Sequence, residues 1–391
     1  MGSALSTFND FMDTTGPSYL SGADQIVNEA VKNNYLLRRF MRGKGPSETV
    51  QGGSKIKDTI MFDDASTFQF YQPNDTFSWQ NPQVLTDWEI DWRFSVDHMS
   101  WTDQEIELNT GGQGRNARHQ TYKTLKRSKE QRLWTSLLNG CEDAIFATAN
   151  PSTMEGATGT RPYSLPAFIT ENDTGGEPYL WGTPLLQNID PTKAGAQPKW
   201  SNQVGTYTGG GQDANLYARI FSAFDEMWMD VQFIPPPSHQ EYFENPQMNA
   251  MFIACSKKAQ VLYVKALRAS QDTFVTGSRQ DPSYMKPQYA GVDVEYVSSL
   301  NTMAAYEPPS GTTAAVNETD ADMSGARYYF VNANYLKFVY HTSRYMHSHP
   351  TMRHPNQPFT TVKPVDSWYN LICRSRQRQG IVSPSSDVTS Y

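Results

Sequence analysis

Between Trp88 and Val96 the chain alternates strictly. Trp88, Ile90, Trp92, Phe94 and Val96 take every second position, and Asp87, Glu89, Asp91, Arg93 and Ser95 take the positions between. Successive side chains of a strand point to opposite faces, so this pattern specifies a strand with one apolar and one polar face. A helix would scatter the same apolar residues around its whole circumference. Upstream, Ile56, Ile60 and Phe62 suit a partner strand. The segment TFQFYQPNDTFSWQNP between them is rich in aromatics and turn formers. The two strands read as a long hairpin whose large tip carries Phe70, Tyr71, Phe77 and Trp79. A two-stranded hairpin alone in water is marginal, so an aromatic tip on one is expected to rest on something.

The rest of the chain separates into helical and extended segments, which predicts an α+β fold. Residues 22–42 carry a loose helical stripe. Residues 115–147 read as one long helix, with Leu125, Leu133, Leu137, Leu138, Cys141, Ile145 and Phe146 at helical spacing. Residues 150–212, rich in Gly, Pro, Asn and Thr, read as loops with short elements. An amphipathic helix follows over 213–230, with Leu216, Ile220, Phe224, Met227 and Trp228 on one face. Then comes a strand over 250–255, a helix capped by Ser256 with Val261, Leu262, Val264 and Leu267, and a strand through Val292, Val294 and Tyr296. Tyr335–Tyr340 and Trp368–Cys373 read as C-terminal strands.

Charge is distributed in blocks that the net of −7 conceals. Residues 58–110 hold eleven carboxylates against Arg93 alone. Residues 115–132 hold seven bases against Glu130: Arg115, Arg118, Lys123, Lys126, Arg127, Lys129 and Arg132. Residues 327–378 hold eight bases against Asp366, ending in Arg374, Arg376 and Arg378. Such blocks are complementary. The acidic hairpin, through Asp87, Glu89 and Asp91, is expected to lie on a basic surface of a neighbouring copy, and the basic segments to face a neighbour or a polyanion.

Catalytic signatures are few. His347, His349 and His354 are spaced for a metal, but the segment is broken by proline, no carboxylate or cysteine lies beside it, and surface-loop histidines are the expectation. Asp87, Glu89 and Asp91 could serve acid–base chemistry, yet they oppose an apolar face as solvent-facing residues do. Gly209–Gly211 lacks the spacing of a nucleotide loop. Cys141, Cys255 and Cys373 are scattered, which predicts neither a disulfide framework nor a metal set, and favours a reducing compartment. No window approaches 18 consecutive apolar residues, so no membrane-spanning helix is expected.

The order of parts (arm, acidic hairpin, long basic helix, mixed unit, β-rich return) resembles the major capsid proteins of tailed bacteriophages with the Hong Kong 97-type fold. The segment GARYYFVNANYLKFVYH followed by PVDSWYNLICRSRQRQGIV is similar to the closing strands of that family, with Asn370, Leu371, Cys373 and Arg376 in its asparagine–leucine–x–cysteine–x–x–arginine run. RPYSLPAFI and PKWSNQVGTY look like its middle. The resemblance implies an N-terminal arm over 1–50 and an extended hairpin loop over 51–97. It implies a peripheral domain over 98–194 and 326–391, with a spine helix at about 115–147, and an axial domain over 195–325. It also implies a non-enzymatic protein without cofactor or metal. Such a chain self-assembles into pentamers and hexamers of an icosahedral virion shell around double-stranded DNA, without sequence specificity, in the bacterial host cytoplasm. The implied partners are a portal protein, a separate scaffolding protein and a decoration protein. Two other readings stay open: a compartment shell of the same fold holding enzyme cargo, and a soluble metal-dependent hydrolase using His347 and His349.

Overall fold

The alternation that specifies the hairpin is interrupted at one residue, and that interruption organises the N-terminal half of the fold. The computed structural model describes residues 47–62, 67–73, 75–76, 85–109, 115–147, 151–154, 159–170, 186–189, 200–207, 216–231, 251–272, 287–301 and 326–384. The helix expected over 22–42 and the tip residues Phe77 and Trp79 lie outside them. In chain order the elements are β1 (Ser47–Val50), β2 (Lys55–Met61), β3 (Leu85–Asp91), β4 (Arg93–Thr102), α1 (Asp103–Asn109) and α2 (Arg115–Ile145). They continue with β5 (Gln203–Tyr207), α3 (Leu216–Val231), β6 (Met251–Cys255), α4 (Lys257–Asp272), β7 (Gln288–Tyr289) and β8 (Val292–Tyr296). The chain closes with β9 (Tyr328–Asn332), β10 (Leu336–His341), β11 (His347–Ser348), β12 (Met352–His354), β13 (Gln357–Cys373) and β14 (Gly380–Pro384).

Trp88, Ile90 and Trp92 are buried as the alternation predicts, but the next buried residue is Arg93, followed by Met99 and Trp101. The buried face therefore changes parity, and Phe94 and Val96 become exposed. Trp92 and Arg93 hold the break. The Trp92 indole N–H donates to the Gly53 carbonyl at 3.0 Å. Gly53 has φ +112°, a conformation open to glycine. The Arg93 guanidinium donates to the Gly159 and Met154 carbonyls. Buried polar groups must find partners, and here that need outweighs strand periodicity.

The described chain forms two compact units. The first comprises residues 94–141 and 341–368. In it β4, β11 and β12 all pair with the first part of β13. Met99 and Trp101 of β4 and Val365 of β13 pack with Ile106 of α1 and Leu125, Leu133 and Leu137 of α2. A capping box starts α1: Glu105 N–H donates to the Thr102 hydroxyl, and Thr102 N–H donates to the Glu105 carboxylate. The same carboxylate accepts from Lys129 of α2 at 2.7 Å. The prolines that suggested a loop over 347–364 sit inside this sheet. Pro358 and Pro364 interrupt donors along β13 without ending it, and His349 N–H donates to the Pro364 carbonyl.

The second unit comprises residues 35–93, 142–340 and 369–391. Its main sheet has the order β5-β14-β9-β6-β8-β7. β14 runs parallel to β5 and antiparallel to β9; β6 runs antiparallel to β9 and parallel to β8. β9 and β14 are thus central to the sheet that holds β6 and β8, and the unit is not divided at 325/326. Helices α3 and α4 pack on this sheet around Phe224, whose ring lies 4.8 Å from Tyr328, 5.0 Å from Phe330, 5.3 Å from Tyr289 and 5.5 Å from Tyr263. A Cβ at Gly380 would sit 2.0 Å from the Met227 sulfur, so α3 approaches β14 closely enough to require glycine there. Also in this unit, β10 pairs with Tyr369–Cys373 of β13 and with β1, and β2 pairs with β3 as the hairpin.

The buried stripe of α4 is Ala259, Leu262, Tyr263 and Ala266, whereas Val261 is 49% exposed. The spacing reading had placed Val261 inward; Tyr263, a bulky residue with a hydroxyl bonded to the Gln288 carbonyl, takes that role. Phe224→Ala is accordingly expected to cost about 3–5 kcal/mol in denaturant unfolding. Val261→Ala is expected to stay within about 0.5 kcal/mol, as exposed substitutions do.

Candidate assembly surfaces

The hairpin is the most exposed ordered feature of the second unit. β2 and β3 are seven residues each, in the register Ile56↔Ile90 and Thr59↔Asp87. At about 3.3 Å per residue each strand spans roughly 23 Å. Near the tip, Phe68, Phe70 and Tyr71 are exposed, Phe70 at 92%. Phe68 and Phe70 pack edge-on at 4.9 Å, and the Asp75 carboxylate accepts the Gln72 N–H at 2.7 Å. Among the sequence-predicted tip residues, Phe70 and Tyr71 are therefore displayed to solvent.

The acidic face of β3 has partners across the hairpin. Glu89 pairs with Lys55 and with Lys57 at 3.0 Å, and Lys55 also reaches Asp91 at 3.9 Å. Thr59 donates its hydroxyl to Asp87 at 2.8 Å. The count of acids from residue 58 onward missed Lys55 and Lys57, which precede it by a few positions but face it across the ladder. Hydrogen bonds from Lys55 and then Lys57 hold the Glu89 carboxyl below its ordinary value of 4.5.

The root of the hairpin is fixed by buried polar groups near the C-terminus. Asn370 is fully buried; its side chain donates to the Asp91 carbonyl at 2.9 Å and accepts from Tyr163 N–H at 2.9 Å and its neighbour Leu371 N–H at 2.8 Å. Arg376 is 0% exposed. It donates to the Phe168 carbonyl at 2.9 Å, the Trp200 carbonyl at 2.6 Å and the Asn202 side-chain oxygen at 3.1 Å. Arg374 donates to Asp58 at 2.8 Å and to both oxygens of Glu48, at 2.7 and 3.1 Å. Glu48 also pairs with Lys337. One carboxylate of β1 thus meets a cation from β10 and another that follows β13, while Asp58 ties the hairpin to the same arginine.

These contacts correct the expected basic surface. Arg376 is an interior clamp, and Arg374 is spent on Glu48 and Asp58. Arg378 is half-buried and donates to the Asp230 carbonyl at 3.1 Å. A terminal run of arginines looks the same in sequence whether it faces solvent or satisfies carbonyls, so residue type alone carried no signal. On α2, Lys126 is half-buried and Arg127 exposed, while the side chains of Arg115, Arg118 and Lys123 lie outside the described set.

The histidines have a partner that sequence separation hid. His349 shares a 3.0 Å hydrogen bond with Asp366, brought alongside by the β11–β13 pairing, and its ring lies 5.0 Å from that of His347. Among the described residues no three His, Cys, Asp or Glu side chains gather as a metal site. The three cysteines are free and buried. Burial raises the thiols of Cys255 and Cys373, the latter to about 12, so they are unsuited to act as nucleophiles. Among the described residues no helix is long and apolar enough to cross a membrane.

No protein-family model matches the chain, and no curated protein matches it in sequence. Solved structures do match. The capsid chain of an empty GTA particle aligns at TM-score 0.55 and 8% identity, covering 96% of each chain. That of a native GTA particle aligns at 0.53 and 8% identity, covering 93% of this chain and 92% of that one. The capsid chain of cyanophage A-1(L) aligns at 0.52 and 12% identity, covering 95% and 98%. The fold of this chain is the Hong Kong 97-type capsid fold, α+β in class.

Two expectations follow. Arg376→Met leaves three buried acceptors without their donor, at about 1–3 kcal/mol each, so soluble yield should collapse, whereas Arg378→Gln should leave it unchanged. Glu89, lowered in the folded hairpin, adds stability that is complete above its unfolded value and lost as pH falls through the folded one. Carboxyl titration by NMR should place Glu89 below 4.5, and Lys55→Met with Lys57→Met should move it up.

Proposed function

We propose that this chain is a major capsid protein, assembling with copies of itself into pentamers and hexamers of an icosahedral shell around double-stranded DNA. The observation that supports the reading is the match of fold from end to end: the alignment covers more than nine-tenths of this chain and of each capsid chain. The hairpin adds a physical argument. Two seven-residue strands carrying exposed aromatics gain most of their stability from something outside the subunit. In this reading the hairpin is the extended loop, with Phe70, Tyr71, Phe77 and Trp79 at its contact and Asp87, Glu89 and Asp91 along its flank. α2 is the spine helix. Residues 195–325 serve as the axial part, built on a sheet that also includes β9 and β14.

The role is structural rather than enzymatic and needs no cofactor. DNA contact is through phosphate and so independent of sequence, with Arg115, Arg118, Lys123, Lys126 and Arg127 of α2 as the cations facing DNA or a neighbour. A portal protein, a separate scaffolding protein and a decoration protein complete the partners, and the shell is assembled in the bacterial cytoplasm as part of the virion.

Electron microscopy of the purified protein should show closed, regular shells; a protein that stays monomeric would overturn the reading. Phe68→Ser, Phe70→Ser and Tyr71→Ser combined should leave the subunit's unfolding midpoint unchanged and abolish the shells. Undiminished shells from that variant would remove the hairpin tip from the assembly contact.

A further inference from the structure

We propose that the uncovered face of β4 in the first unit receives the hairpin tip of a second copy of this chain; the inference rests on the capsid reading above and names the surface it requires. β4 is covered on one side only. Met99 and Trp101 pack against α1 and α2, while the residues of opposite parity, Phe94, Val96 and His98, face outward. Phe94 is 61% and Val96 73% exposed, an unusual pair to leave open on a strand. The patch extends onto β13. The Phe94 ring meets Trp368 edge-on at 4.9 Å. His341 lies 5.3 Å from that indole, and the Arg344 guanidinium is 5.6 Å from its centroid. The result is an apolar aromatic patch with cationic and imidazole groups at its rim.

The carboxylates near it are engaged. Asp366 meets Arg344 at 3.6 Å and His349 at 3.0 Å. Asp97 has the opposite parity on β4 and accepts the His98 backbone N–H. The hairpin tip offers the matching set: three exposed rings, Phe68, Phe70 and Tyr71, beside the Asp75 carboxylate. Aromatic surface meets aromatic surface, and acid meets cation. The arginines first expected to receive the hairpin cannot do so, because Arg376 and Arg374 are bonded within the subunit. Two different patches of one chain meeting between copies form a heterologous contact. Repeated around a closing rotation, such a contact gives a ring.

Hydroxyl-radical footprinting of the wild-type protein tests this without any substitution. Phe94, Trp368, Phe70 and Tyr71 should together be oxidised at least about fivefold less in particles than in unassembled subunits, as for groups at a water-excluding interface centre. Protection of the tip with Phe94 and Trp368 unprotected would overturn this face while leaving the capsid reading intact; absence of particles would overturn the capsid reading itself. Phe70→Cys combined with Val96→Cys should, on oxidation of particles, give a ladder of covalent multimers, and the buried native cysteines should not contribute to it. Particles without a ladder, or an internal crosslink formed equally in unassembled subunits, would overturn the assignment to a second copy.

Discussion

The fold of the second unit depends on two side chains that cannot be left unbonded. Asn370 and Arg376 are both fully enclosed and both polar. A buried amide or guanidinium without partners costs far more than its hydrogen bonds return when made. Their acceptors come from distant segments: Asp91 at the hairpin root, Phe168 and the Trp200–Asn202 stretch. Placing residues 369–384 therefore fixes where the hairpin leaves the unit and how the loop-rich middle is held. Asn202 carries the bonding one step further, exchanging hydrogen bonds with the backbone of Thr170. The asparagine–leucine–x–cysteine–x–x–arginine run is read here as a structural fastening, and each of its named residues is in the interior.

That fastening gives the hairpin a fixed base and leaves its far end bare. Cross-strand pairs between Lys55, Lys57 and Glu89 stiffen the ribbon, but at this exposure each contributes little to stability. Few apolar residues of β2 and β3 are buried, chiefly Ile56, Trp88 and Ile90 toward the root. An element that is rigid at the root, polar along its length and aromatic at the tip is suited to carry a contact away from its own subunit. The low apolar content of the chain, 38%, is consistent with a subunit completed by its neighbours.

Much of this was legible in the sequence, for reasons that can be given residue by residue. The hairpin, α2, α3, β6 and β8 follow from periodicity, because one face of each is buried in its own unit. Periodicity failed where a polar group decided the outcome. It ran Trp88 through Val96 as one strand, whereas the bonds of Trp92 and Arg93 turn the buried face over. It also treated Pro358 and Pro364 as breaks, although a proline removes one donor and β13 tolerates that loss. Charge counting failed differently. A window along the chain could not see that Lys55 faces Glu89, that Glu48 faces Arg374, or that Arg376 faces carbonyls. Ionisable groups report their partners only once the backbone has brought distant segments together.

The parity change at Trp92 links these points. Had the alternation continued, Phe94 and Val96 would have pointed inward with Trp92, and Met99 and Trp101 would have been the exposed pair. One irregular residue moves two bulky apolar side chains to the open side of β4 and places two others in the core with Leu125, Leu133 and Leu137. The exchange costs the subunit solvent-exposed apolar area, which isolated folding gives no reason to keep. In an assembling chain the same exchange is useful, since it leaves β4 with one face for its own helices and one for a neighbour. A local violation of strand patterning, held by an arginine on two carbonyls, is thus the feature through which this sequence most directly anticipates association.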